Sequence, residues 1–203
     1  MEEPLQAHTV NEAHYYLMVT ACRECSKGPW TIESPDEPQP DGTRTLRAKC
    51  KSCQALREFR FACEHEVPAS GPEAEMINPG DEPSRIIDLG QWMSLFYLMV
   101  ESAAKAPSRP ETRRMGYRAA LCLAEAMKFY GQQETPPATA LFSEAGKRAF
   151  REHPDSYARG HLRDLQARLP PPIHRGEAQA SPSRPRRPWW RFWGPKAPAG
   201  PPA

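Results

Sequence analysis

A chain of 203 residues and 22.9 kDa holds one ordinary domain or two small ones. Only 39% of its residues are hydrophobic and its mean hydropathy is −0.72, so part of the chain builds no core. The formal net charge of +2 argues against a strongly basic nucleic-acid protein.

Charge is unevenly spread. Residues 1–42 carry eight acidic and two basic residues, whereas residues 170–203 carry one acidic and six basic. The start, MEEPLQAH, shows no apolar run behind a basic cluster. The longest strongly apolar stretch, Leu89 to Val100, is too short for a ~30 Å hydrocarbon core. The expectation is a cytoplasmic protein, in a compartment where paired cysteines mean metal more often than disulfide.

In chain order, residues 1–13 read as a loose lead-in. Tyr15 to Thr20 (YYLMVT) is rich in β-favouring residues and predicts a strand running into Cys22. Cys22 and Cys25 form one C-x2-C turn, and Cys50 and Cys53 form another after 24 intervening residues. Each turn can point two sulfurs the same way, and two such turns complete a tetrahedral four-cysteine Zn2+ site. Pro29 to Glu33 and Thr43 to Ala48 predict strands, with the proline-rich acidic loop SPDEPQPDG between them. Leu56 to Cys63 alternates, with Phe59, Phe61 and Cys63 on one face.

Strand, knuckle, strand, repeated over residues 15–63, resembles the zinc-ribbon superfamily. That resemblance implies a small antiparallel sheet clamped by zinc and used for protein or nucleic-acid contacts. Many ribbons place glycine directly after the second cysteine of a knuckle; Ser26 and Gln54 stand there instead. The departure favours zinc over a redox iron site. A closed shell of four sulfurs leaves no coordination position for water or substrate, so the expected cofactor is one structural Zn2+ per chain. Cys63 and His65 offer a substitute ligand pair, but the set is complete without them.

Val67 to Pro83 reads as a linker by composition. Ser84 is placed to cap a helix over 85–105, whose apolar surface (Leu89, Trp92, Met93, Phe96, Val100, widened by Leu95, Leu98 and Met99) suits the centre of a bundle or a homodimer interface. A second helix over 111–130 sets Met115, Ala119, Cys122, Ala126 and Phe129 on one face. A third follows Thr135-Pro136-Pro137, and a fourth starts at Pro154 with Ala158, Leu162, Leu165 and Leu169 in register. No specific family is recognised in these helices. Ten of the 24 prolines lie in residues 170–203, which predicts a disordered tail.

The expected architecture is therefore α+β: a zinc-ribbon sheet in residues 1–66, a linker over 67–83, a four-helix domain over 84–169 and the tail. No G-x-S-x-G, phosphate-cradling glycine loop or H-E-x-x-H is present, so a non-catalytic protein-interaction or adaptor module is expected. A second reading assigns nucleic-acid binding to Arg44, Arg47, Lys51, Arg57 and Arg60 on the basic hairpin 43–61. A third assigns membrane-surface or partner contact to the tail cations Arg186, Arg187 and Arg191 with Trp189, Trp190, Phe192 and Trp193.

Overall fold

A computed structural model describes residues 3–34 and 37–169. The tail residues from 170 onward, with Arg186, Arg187, Trp189, Trp190, Arg191, Phe192 and Trp193, lie outside the described residues, as does the expectation of disorder there. The chain is α+β, as the composition and periodicity imply.

Its first element corrects the sequence reading. Residues 1–13 hold a short strand β1 (Leu5–Ala7) and the start of a helix α1 (Val10–Val19), where a strand was expected from Tyr15. Thr9 caps α1, its Oγ1 accepting from the Glu12 N–H. Ala13 and Leu17, one turn apart, are buried. Intrinsic β preference is a weak prior, and here the cap and the burial of one helical face override it.

The consecutive tyrosines then serve two surfaces. Tyr16 packs edge-on against Phe59 and Phe61 of the sheet, while Tyr15 meets Trp92, with ring centres 5.7 Å apart. Residues 100° apart on a helix must face different neighbours, so α1 is wedged between the sheet and the helices.

The remaining strands are β2 (Trp30–Ile32), β3 (Glu37–Pro38), β4 (Thr43–Cys50) and β5 (Leu56–Cys63). The sheet order is β1-β5-β4-β2, with β3 also against β4. The hairpin β4–β5 and the β2–β4 pair are antiparallel, but β1 runs parallel to β5. The sheet is thus mixed rather than purely antiparallel, because β1 reaches its place through a helical crossover.

The middle of the proline- and glycine-rich segment 67–83 packs on the fold, although most residues on either side of it are exposed. Ile77 is buried, Asn11 donates to the Ala74 and Met76 carbonyls, and Thr9 Oγ1 donates to the Ile77 carbonyl. Irregular composition reports missing periodicity, not missing contacts. Ser84 Oγ accepts from the Ile86 and Ile87 N–H groups in a local turn. Helix α2 (Leu89–Lys105) starts later, at Asp88, which forms a capping box with Gln91.

Helix α2 is central, with nine buried residues on a wide face and only Tyr97 and Leu98 among its large apolar residues exposed. Helix α3 (Arg109–Lys128) packs along it through Ala119, Cys122 and Ala126. Small residues on that face bring the two helices close. Gly131 follows α3 with a positive φ of 51°.

Helix α4 (Glu144–Glu152) crosses α2 where two glycines meet. A Cβ added to Gly90 would stand 2.4 Å from Gly146 Cα, so neither position admits a side chain. The Asp88 carboxylate also accepts from the Ser143 N–H and hydroxyl, both at 2.7 Å, tying the starts of α2 and α4 together. Pro154 belongs to a separate turn over Pro154–Tyr157, and α5 (Arg159–Arg168) begins after it with Leu162 and Leu165 buried. The buried apolar residues form one cluster, from Ala7 through the sheet and α1 to Leu165.

Candidate metal centre

The two knuckles are backbone copies of each other. In the first, the Ser26 N–H donates to the Cys22 carbonyl and the Cys22 N–H to the Lys27 carbonyl. In the second, the Gln54 N–H donates to the Cys50 carbonyl and the Cys50 N–H to the Ala55 carbonyl. Each turn is closed by a residue in the left-handed region, Ser26 at φ 56° and Gln54 at φ 66°. These are the two positions where glycine was expected from the ribbon resemblance. The conformation is kept without the residue that adopts it most cheaply, at a cost of roughly 1–2 kcal/mol each.

The knuckles are brought face to face by the sheet. Trp30 lies opposite Cys50 across the β2–β4 pair, and the Lys51 N–H donates to the Pro29 carbonyl, holding the first knuckle's exit beside the second knuckle. All four sulfurs then lie within 4.8 Å of one another. Cys22 Sγ and Cys53 Sγ are 3.6 Å apart, and Cys25 Sγ and Cys50 Sγ are 3.8 Å apart. A Zn–S bond of ~2.3 Å in a tetrahedron requires S···S edges of ~3.8 Å, so the residues fit such an ion.

Burial across the set is graded: Cys22 and Cys50 are buried, Cys25 is intermediate and Cys53 is exposed. The Cys53 and Ser52 N–H groups aimed at Cys50 bring its thiol down to about 7. The Ala55 N–H opposes the trend at Cys53, but partial desolvation and the other three sulfurs push that thiol up to about 12. One thiolate discourages the next when four share a small volume, and a dication reverses that repulsion. Such an ion would be held by Cys22, Cys25, Cys50 and Cys53 and would supply cross-linking of the two knuckles.

Among the described residues this is the one metal-competent cluster. Cys63 is at the far end of β5, about 20 Å from the knuckles along an extended strand, and His65 is exposed beyond it. Cys122 is buried on α3, where desolvation pushes its thiol up and keeps it protonated.

The basic hairpin does not present one face. Leu46, Ala48 and Cys50 point inward, so Arg47 lies on the outer face, opposite Glu58. Arg44 and Arg57 lie on the inner side near opposite ends of the hairpin, and Lys51 is in the second knuckle. Carboxylates accompany several of these cations: Glu66 beside Arg44, Asp41 at 2.9 Å from Arg60, and Glu33 at 3.8 Å from Lys49. Arg57 stacks over the Phe59 ring, 4.9 Å from its centre.

A buried polar cluster escaped the sequence. His8 and Glu12 are both buried, with His8 Nδ1 3.0 Å from Glu12 Oε2. Glu125 of α3 is buried nearby. Desolvation pushes its carboxyl up to about 7, Lys128 at 2.9 Å opposes the rise, and Glu12 adds to it. Glu12 and Glu125 come from two helices more than a hundred positions apart, so no local spacing could reveal their approach.

No helix among the described residues is long and apolar enough to cross a membrane. No protein-family model, curated protein or solved structure matches the chain.

Proposed function

We propose that this chain is a non-catalytic zinc-binding protein that serves as a protein-interaction module. The observation that carries the reading is the mutual approach of the four sulfurs within 4.8 Å, from two knuckles of the same backbone form. Four thiolates fill the shell of a tetrahedral ion, so the metal stabilises and does not activate substrate. A structural zinc contributes on the order of 10 kcal/mol or more to folding, which a sheet with strands this short needs.

The nucleic-acid reading uses the same hairpin. Its cations are divided between two faces, and Arg44, Lys49 and Arg60 have carboxylate neighbours, which favours a protein partner over a phosphate backbone. The tail's membrane reading rests on its tryptophans and arginines alone.

The test is elemental analysis of the purified full chain together with identification of what co-elutes. About one zinc per chain and a stoichiometric protein partner are expected. Metal-free folded chain removes the zinc assignment. Co-eluting nucleic acid that dissociates steeply with salt transfers the function to the hairpin cations, and vesicle binding lost on removing residues 180–203 transfers it to the tail.

A further inference from the structure

The four sulfurs of the metal centre are not equivalent toward solvent. Cys50 is buried at the end of β4, opposite Trp30, and its N–H donates to the Ala55 carbonyl. Cys22 is buried too, and Cys25 is only partly exposed. Cys53 is exposed, and so are Lys51, Ser52 and Gln54 around it. A reagent arriving from solvent therefore meets Cys53 first. Coordination holds a cysteine as thiolate, the form that reduces peroxides, and susceptibility follows thiolate character and exposure together. Cys122, buried and protonated on α3, has neither.

An oxidised Cys53 has a second cysteine within reach on the other knuckle. Cys22 Sγ is 3.6 Å from Cys53 Sγ, while Cys25 Sγ lies 3.8 Å from Cys50 Sγ. A disulfide requires the first pair to close to ~2.05 Å, a movement of about 1.5 Å. Cys22 belongs to no strand or helix, and the tip of the second knuckle is exposed, so both ends have room to shift. Cys50 is fixed in register on β4 and has no such freedom.

We propose that Cys53 is the peroxide-reactive ligand of this centre, and that its oxidation ends in a Cys22–Cys53 disulfide that expels zinc while keeping the two knuckles joined. The Cys53 thiolate attacks hydrogen peroxide, forming an S–O bond and breaking O–O, and becomes a sulfenic acid with release of hydroxide. The Cys22 thiolate then attacks the Cys53 sulfur, forming S–S and expelling a second hydroxide. Each sulfur gives up one electron and the peroxide takes two. Cys25 and Cys50 remain as two ligands where a closed tetrahedral shell needs four. The new bond links the same knuckles that the metal would link, so the sheet keeps a cross-link after the ion has left. The inference rests on the zinc reading above.

The test adds hydrogen peroxide to the full zinc-loaded chain, follows zinc release with a chromogenic chelator and maps disulfides by mass spectrometry of unreduced digests. The chain should release one zinc as it loses two thiols, with Cys22–Cys53 as its first disulfide. Amide protection in β4 and β5 should survive this step; its loss overturns the retained cross-link. Cys53→Asp keeps an oxygen ligand for zinc and should slow release about tenfold or more, whereas Cys25→Asp should stay as sensitive as the native chain. Equal rates for Cys53→Asp and the native chain overturn the proposal, as does a first disulfide within one knuckle or between two chains. If an Asp variant purifies without zinc, the native chain's disulfide map and its order of labelling by iodoacetamide decide, with Cys53 expected first. Elemental analysis before any peroxide is added separates the two failures: a folded, metal-free chain removes the zinc reading itself.

Discussion

The sheet and the helical pair α2–α3 solve the stability problem in different ways. Around the sheet, strands of two to eight residues bury a few aromatics and converge on four sulfurs. Helices α2 and α3 run 17 and 20 residues and bury Trp92, Phe96, Leu123 and their neighbours along a continuous seam. One region is organised around a point and the other along a line. A point can be removed by a single atom, whereas a line loses stability in increments.

The largest expected effect therefore falls on the point. Cys50→Ser should abolish stoichiometric zinc and unfold the sheet, a loss on the order of 10 kcal/mol, while helical circular dichroism from α2 and α3 largely persists. A variant that keeps its zinc and its sheet breaks the comparison.

The next effect separates the helices by pH. Glu125 has its carboxyl raised from 4.5 to about 7 by burial. Between those values the folded chain holds a proton that the unfolded chain releases, so this contribution is complete below pH 4.5 and lost as pH rises through 7. Glu125→Gln should flatten that part of the stability profile by as much as roughly 3 kcal/mol, read from urea midpoints at pH 5 and pH 8. An unchanged slope assigns the proton elsewhere.

Gly146→Ala should cost about 2–3 kcal/mol, because the new Cβ would fall 2.4 Å from an Asp88 carboxylate oxygen. Thermal melting checks it, with no change expected in zinc content. The smallest effect returns to the knuckles. Ser26→Gly and Gln54→Gly should each stabilise the zinc-loaded chain by about 1 kcal/mol at most, by relieving the left-handed backbone.

The two kinds of region were also unequally legible. The cysteine pairs announce their geometry because a knuckle is local: six residues contain the turn and both its hydrogen bonds. Helices α2 and α3 were visible because a long apolar period survives local ambiguity. Helix α1 was not, since Tyr15 to Val19 carries β-favouring residues and its helicity depends on Thr9 and on two surfaces distant in sequence. Ser84 was a plausible cap, yet Asp88 prevails because its carboxylate also binds Ser143. The approach of Glu12 to Glu125 is a product of tertiary arrangement and leaves no mark on either stretch alone.

That shared carboxylate bears on the order of assembly. Helix α4 has nine residues, too few to persist alone in water, and its cap is Ser143, whose hydroxyl accepts from the Gly146 N–H while donating to Asp88 across 55 positions of chain. Its first turn is therefore completed only after the start of α2 is in place, which makes α4 a late and conditional element. Hydrogen exchange at the Gly146 and Lys147 amides should accordingly report the integrity of α2, not of α4 alone.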